Sequence, residues 1–190
     1  MWSDSRKAWE PSVSIRPLDK GAGLSENPFW DFSVAVYASA GVSDACLRLQ
    51  DKRGFDVNLL LFSCWLGGGR NSALSEADWL ALIKSTRMWR DEVLGPLRSA
   101  RRALKTARLD GASNDHDELR RAVQRIELDC ERAQQDFLAS KVDSLTVIGG
   151  RAAGDRAAGN IKTLTAAMGL SLDDSDHINL QHILTAAATI

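Results

Sequence analysis

The sequence predicts an all-α protein, an irregular bundle of about six to seven helices with a longer antiparallel helical hairpin. Apolar residues recur at helical spacing along most of the chain. One segment, VNLLLFSCWL at 57–66, is apolar on nearly every side, which is typical of a central buried helix. Two stretches, 93–107 and 119–137, carry apolar residues spaced alternately four and three positions apart, with turn-forming residues between them.

Length and composition set the first bounds. A chain of 190 residues, 44% hydrophobic and 26% charged, is expected to form one soluble globular domain. We expect this domain to span 26–190, after a flexible extension over 1–25 that lacks the apolar core of a secretion signal. A net charge of −1 gives no general reason to expect nucleic acid or an anionic membrane as a partner. No membrane-spanning segment is predicted.

Two short helices are predicted at the start of the domain. Asn27-Pro28 is typical of a helix start, because an Asn side chain accepts from free backbone N–H groups and Pro loses no hydrogen bond there. This helix is expected to end near Gly41. A second helix is expected over about 43–52, with Gly54 as the glycine that follows its end.

The third helix, 57–66, is the expected centre of the fold. Asp56 is expected to cap it. The segment is too short to cross a bilayer, which takes about 20 apolar residues. A buried strand is the competing interpretation, because periodicity does not separate the two for a short apolar run. The helical neighbours and the three glycines at 67–69 favour a helix.

Asn58 is the polar exception in this segment. A buried amide without partners costs about 1–3 kcal/mol, so we expect Asn58 to be hydrogen-bonded. One hypothesis is a small-molecule site or an enzyme, in which Asp56 and Asn58 point together into a concave pocket. The simpler alternative has Asp56 capping the helix, Asn58 bonded to backbone and Asp51 in solvent. The residues that would line the ligand site are Trp30, Asp51, Asp56, Asn58 and Trp65.

The hairpin is predicted from two stretches of helical spacing. A helix is expected over 76–94, and Gly95-Pro96 is expected to break or kink it before a second piece that reaches Leu109. The turn is expected at 110–115, followed by the other arm of the hairpin. Its predicted inward residues are spaced four and three apart: Leu119, Val123, Ile126, Cys130, Ala133 and Phe137.

Opposite charges support this pairing of arms. Residues 84–108 contain eight basic and two acidic residues, a net of +6, and 110–136 contain eight acidic and four basic ones, a net of −4. The first arm carries a basic row that could bind a partner or nucleic acid. No aromatic residue interleaves with this row to stack on bases, which argues against single-stranded nucleic acid. The row consists of Arg98, Arg101, Arg102, Lys105 and Arg108.

Shorter elements are predicted after the hairpin. The second arm is expected to continue toward Ile148 and end at the glycines 149–150. The glycines of RAAGDRAAG at 151–159 weaken a helix, so a short helix is expected only over 160–168. The last helix is expected over about 175–188.

Motifs for catalysis, cofactors and metals are missing from the sequence. It has no G-x-S-x-G, no dinucleotide fingerprint and no zinc-ligand spacing, and His177 and His182 lie five apart rather than four. Three cysteines without C-x-x-C spacing are expected to be reduced thiols in a cytoplasmic protein. We therefore predict no catalytic residue, no metal and no cofactor. The leading hypothesis is a non-enzymatic protein that acts through protein–protein interaction or regulation. A homo-oligomer is also possible, because the apolar rows of the hairpin could pair between subunits as well as within one.

Two stretches carry a resemblance to a known family. FWDFSVAVY at 29–37 and GVSDACLRLQDKRGFDVNLLLFSCWLGG at 41–68 resemble an uncharacterised family of short proteobacterial helical proteins, a domain of unknown function. The resemblance is strong over 28–68 and looser over 74–148. It implies a bacterial origin and supplies no activity, substrate or catalytic residue.

Overall fold

The computed structural model describes residues 27–107, 116–145 and 153–190, and these residues form helices without a strand. The expected extension over 1–25, the turn at 110–115 and the glycines 149–150 lie outside the described residues. The α-helices are α1 (Pro28–Tyr37), α2 (Val42–Arg53), α3 (Val57–Gly68), α4 (Glu76–Trp89), α5 (Gly95–Ala103), α6 (His116–Lys141), α7 (Ala153–Ala167) and α8 (Asp174–Ala187). A π-helical segment, Arg90–Leu94, joins α4 to α5, so the described chain forms seven helical rods. The predicted fold class is confirmed.

The helix α3 is the centre of the bundle. Every residue from Asn58 to Gly67 is buried, and α1, α2, α6, α7 and α8 pack around it. The Phe62 ring meets the rings of Phe29 and Trp79 edge-on, with centroids 5.1 and 6.3 Å away. The prediction of a central buried helix is therefore confirmed.

Local chemistry fixes the helix ends where the sequence indicated. The Asn27 side chain accepts from two backbone N–H groups of α1, and Asp56 does the same for one N–H of α3. Ser75 and Asp78 form a reciprocal capping box at the start of α4. Gly54 follows α2 with a φ of 71°, a left-handed conformation that glycine adopts at little cost.

The helix does not break at Gly95-Pro96, where a break or a kink is expected from the sequence. In a regular α-helix the Pro96 ring would clash with the carbonyl four residues earlier. The π-helical segment Arg90–Leu94 relieves this clash by widening the turn, and the Gly95 N–H donates to the carbonyl of Arg90 five residues back. The helix therefore continues through Pro96 and carries α5 alongside α6.

The start of α7 also differs from the prediction. This helix begins at Ala153, inside the segment expected to be non-helical. A Cβ on Gly67 would overlap the backbone of Ala157, so the missing side chain lets α3 and α7 pack in close contact. This packing outweighs the helix cost of an interior glycine, about 1 kcal/mol. Earlier in the chain, α6 ends at Lys141 rather than near Ile148 and is followed by a 3₁₀ turn, Val142–Ser144.

The continuous rod made of α4, the π-helical segment and α5 packs against α6 and forms the predicted antiparallel hairpin. The Trp89 indole Nε1 donates to the carbonyl of Cys130 at 3.0 Å, and Arg101, farther along the rod, reaches back to Glu127. A later residue of one arm thus meets an earlier residue of the other. No helix within the described ranges combines the length and apolarity needed to cross a bilayer.

Candidate functional site

Four polar side chains form a hydrogen-bonded network at the start of α3. Asp56 accepts from the Asn58 backbone N–H at 2.9 Å through one carboxylate oxygen, and from Gln134 Nε2 at 2.7 Å through the other. The Asn58 amide donates to Gln134 Oε1 at 2.8 Å and accepts from Gln135 Nε2 at 2.8 Å. All four side chains are buried. We call this set, Asp56, Asn58, Gln134 and Gln135, the polar network.

The polar network fixes how α6 lies on α3. Asn58 and Gln134 each donate and accept between the two helices and Gln135 donates to Asn58, so a shift of α6 by one residue would leave several buried groups unpaired. An unpaired buried group costs about 1–3 kcal/mol, so the network favours one register. Because the same atoms hold the helices together, a ligand could reach them only by displacing Gln134 or Gln135. The arrangement is suited to orientation of helices more than to binding of a small molecule.

The residues expected to line a ligand site are divided by the structure. Asp56 and Asn58 come together in the polar network. Trp65 packs between Phe29 and Phe62 in the core, Trp30 lies under the guanidinium of Arg132, and Asp51 is exposed on α2. The five side chains do not surround one concavity. Asn58 also departs from the simpler alternative, because it bonds side chains of α6 rather than backbone.

The basic row of α5 is divided as well. Arg98 and Arg101 point into the hairpin, where Arg101 Nε lies 2.5 Å from Glu127 and Arg98 Nη2 lies 2.7 Å from Glu131. Arg98 Nε lies 3.5 Å from Glu127, so this carboxylate is shared. We call these four residues the arginine–glutamate cluster. Of the remaining basic residues, Arg102 and Lys105 are exposed, and Arg108 lies outside the described residues.

Burial and charge shift several protonation equilibria around this cluster. Burial raises the pKa of Glu131, although the guanidinium of Arg98 opposes the change and the carboxylates of Glu127 and Asp56 add to it. The hydrogen bond to Glu127 raises the pKa of Arg101. Burial also raises the pKa of the Tyr37 hydroxyl, with Cys46 and Glu131 contributing. The pKa values of Glu131, Arg101 and Tyr37 are thus all raised.

The inward face of α6 is polar, contrary to the prediction. Glu127 and Gln134 are buried, whereas Leu119 is 55% exposed and Ile126 52% exposed. Val123 is half-buried between them. Turning the apolar row inward would bury it, but it would also remove the partners of the α5 arginines and of Asp56. Buried groups that lose their partners cost more than exposure of two apolar side chains, so the polar face lies inside.

We call Leu119, Val123 and Ile126 the outer stripe. The rest of the predicted inward row behaves differently. Phe137 packs against the core, Cys130 is half-buried near Trp89, and Ala133 is exposed. The stripe thus opens to solvent in the N-terminal half of α6, two helical turns from Leu119 to Ile126.

The sequence analysis did not identify Gln134 and Gln135 as site residues. It also did not predict that Glu127 and Glu131 face inward. One signal was present. Glu127, Glu131, Gln134 and Leu138 recur at spacings of four, three and four, so they share one face of α6 and end in a fully buried leucine. A count of apolar residues alone does not detect a polar row of this kind.

Two other places are relevant to chemistry. A surface groove of about 440 Å³ lies between 73–76 and α7, and charges of both signs line it. Its Arg156 is already bonded to Asn71 and to the carbonyl of Gly67. In the described part of the chain, no three His, Cys, Asp or Glu side chains come together as metal ligands would.

Comparison with known proteins places this site in a family. A family model described as "Protein of unknown function (DUF2390)" matches residues 28–138. The matched region contains the polar network, the arginine–glutamate cluster and the outer stripe, and ends before α7. No curated protein and no solved structure matches the chain.

Proposed function

We propose that this chain, which belongs to the DUF2390 family of unknown function, acts in the bacterial cytoplasm without catalysis, by binding another protein chain through the outer stripe of α6. One observation carries the proposal: Leu119 and Ile126 are both more than half exposed and lie seven residues apart on one helix face. Aligned apolar side chains of this kind are typical of a surface that packs on another helix.

The stripe is exposed because the other side of α6 makes the polar contacts inside the bundle. The opposite side of α6 is occupied by the polar network and the arginine–glutamate cluster, so α6 cannot turn the stripe inward without breaking both. The rest of the described chain leaves the stripe open. A second chain that packs on α6 would cover these apolar side chains.

Charged residues border the stripe on its solvent side. Glu118 accepts from Arg121 and Arg125, each at 3.2 Å, and all three side chains are about half exposed. An apolar centre with a polar rim is the usual anatomy of a protein–protein interface. The basic row contributes less than the sequence suggested, because Arg98 and Arg101 are engaged within the chain.

The alternative of a ligand site or an enzyme around Asp56 and Asn58 has less support. The hydrogen-bonding groups of both residues are used by each other and by Gln134 and Gln135. Nucleic-acid binding has less support for the same reason, since Arg98 and Arg101 are paired with carboxylates.

The test compares three forms of the full chain as bait in an extract of cells that naturally contain it. The stripe variant carries Leu119→Glu and Ile126→Glu, and the control is Met88→Glu, whose side chain is 74% exposed on α4. We expect the wild type and the control to retain the same proteins, identified by mass spectrometry, and the stripe variant to lose them. Far-UV circular dichroism establishes that all three are folded. A set of bound proteins unchanged by the stripe variant would overturn the proposal.

A further inference from the structure

We infer that the partner of the outer stripe is a second copy of this chain, with the two α6 helices antiparallel about a two-fold axis between Ala122 and Val123. This inference rests on the proposed function, because it names the partner of the same surface. Residues equally far from the axis face each other in such a pair. Leu119 of one copy then lies level with Ile126 of the other, so apolar side chains meet apolar side chains twice.

Charge complementarity favours this orientation. Glu118 and Arg125 lie on the same flank of the stripe, on opposite sides of the proposed axis. In the antiparallel pair, Glu118 of one copy comes within about 3 Å of the level of Arg125 of the other, from a rise of about 1.5 Å per residue. In a parallel pair the flank that carries Glu118 and Arg125 in one copy faces the opposite flank of the other copy, so these two side chains would not meet across the contact.

Replacing the ion pair between Glu118 and Arg125 within one helix by pairs between two copies costs little free energy. Arg125 now reaches Glu118 within its own helix, seven residues away, and both side chains are more than half exposed. Exposed pairs of this kind contribute about 0.2–1 kcal/mol, so little is lost when the pair forms between copies instead. Ala122 and Val123 lie on either side of the axis, and the small Ala122 side chain allows the two helices to approach closely.

The size of the stripe sets the strength of the contact. Two helical turns bury less than the roughly 1,200–2,000 Å² typical of a stable interface. The dimer is therefore weak and depends on concentration. Its Glu118–Arg125 pairs lie at the rim, so high salt weakens it further.

Self-association is measured by sedimentation equilibrium on the purified full chain, from low micromolar to about millimolar concentration. We expect the mass to rise from that of the 20.8 kDa monomer toward twice this value. Ile126→Glu should remain monomeric, and Met88→Glu should behave like the wild type. Arg125→Glu should weaken the dimer at least several-fold, and adding Glu118→Arg to it should restore association, because both pairs re-form with reversed sign.

Orientation is measured by disulfide cross-linking in a Cys130→Ser background. Cys46 and Cys64 are buried and stay unreactive. We expect Ala122→Cys to cross-link to itself, since it lies at the axis. Leu119→Cys alone should not cross-link, whereas a mixture of Leu119→Cys and Ile126→Cys chains should. Self-cross-linking of Leu119→Cys as fast as in the mixture would overturn the antiparallel arrangement.

The outcomes separate this inference from the proposed function. A chain that stays monomeric at millimolar concentration, yet loses captured proteins on stripe substitution, overturns the second-copy inference and leaves the proposed function standing. A dimer unaffected by Ile126→Glu also overturns the inference. A monomer that captures nothing through the stripe overturns both.

Discussion

The helices α3 and α6 pack against each other near the centre of the molecule and bury opposite chemistry. The interior positions of α3 are almost all apolar, whereas those of α6 include Glu127, Gln134 and Gln135. For a helix that is apolar on every side, hydrophobicity alone specifies that it is central. For an amphipathic helix, the groups presented by its neighbours decide which face is inside.

The energies involved explain this difference. Burying an apolar side chain contributes about 1.5–3 kcal/mol. Leaving a buried ion without its partner costs several kcal/mol. Because α5 presents two arginines and α3 presents Asp56 and Asn58, α6 is most stable with its glutamates and glutamines inside and Leu119 and Ile126 outside.

The largest effect is expected in α3. Phe62→Ala should lower the free energy of unfolding by about 3–5 kcal/mol, because it leaves a cavity among fully buried rings. Urea denaturation measures the loss. The matched control, Leu80→Ala on the exposed side of α4, should change the free energy by less than about 0.5 kcal/mol. Equal losses for the two variants would contradict the central position of α3.

The next effect is expected in the arginine–glutamate cluster. Glu127→Ala removes the carboxylate shared by Arg98 and Arg101 and should cost about 2–3 kcal/mol, less than the 3–5 of a fully buried pair because solvent reaches the cluster. The control is Glu118→Ala on the exposed side of the same helix, which should leave the urea midpoint nearly unchanged. If the two substitutions were equivalent, the polar interior of α6 would have no role in stability.

A smaller loss is expected in the polar network. Gln134→Leu leaves one carboxylate oxygen of Asp56 and the side-chain N–H of Asn58 without a partner and should cost about 1–2 kcal/mol, despite the added apolar surface. The same substitution at the exposed Gln181 of α8 serves as the control and should have little effect. A stabilised Gln134→Leu variant would indicate that α6 tolerates an apolar face at this position.

The smallest effect is a difference in pH dependence between a half-buried and an exposed carboxyl. Lys52 and then Ser175 hold the pKa of Asp173 below its ordinary 3.8, so its stabilisation is present above that value and is lost as the pH falls. Burial raises the pKa of Glu131 above 4.5, so its contribution is greatest below 4.5 and is lost as the pH rises through the raised value.

Denaturation curves between pH 2.5 and 7 should show opposite changes for the two neutral variants. Asp173→Asn should flatten the loss of stability on the acid side, and Glu131→Gln should raise stability at pH 7 relative to pH 4. Changes of the same sign for both variants would contradict the opposite pKa shifts of Glu131 and Asp173.

Local chemistry and uniform hydrophobicity made much of the fold predictable from the sequence. The caps at Asn27 and Asp56, and the buried α3, depend on residues within a few positions of each other. The inward face of α6 was not predictable in this way, because Asn58 and its partner Gln134 lie 76 residues apart. Likewise, the start of α7 depends on its contact with Gly67, and the spacing of apolar residues in the sequence does not reveal such a contact.

The candidate site was predictable in part. Asn58 stood out as an amide that needed partners, and Asp56 as its neighbour, but the sequence did not identify the glutamines that satisfy them. The basic row of α5 was also evident from the sequence. Whether each arginine faces solvent or another helix depends on the rotation of α5, which the π-helical segment changes.

The π-helical segment before Pro96 sets the rotation of α5 about its own axis. A π turn holds one residue more than an α turn, so α5 is rotated by about 100° relative to an uninterrupted continuation of α4. That rotation aims Arg98 and Arg101 at the carboxylates across the hairpin. The π-helical segment, which accommodates Pro96, thus determines which side of α5 faces α6. Deletion of one residue from Arg90–Leu94 would rotate α5 and move Arg98 and Arg101 away from the carboxylates of α6.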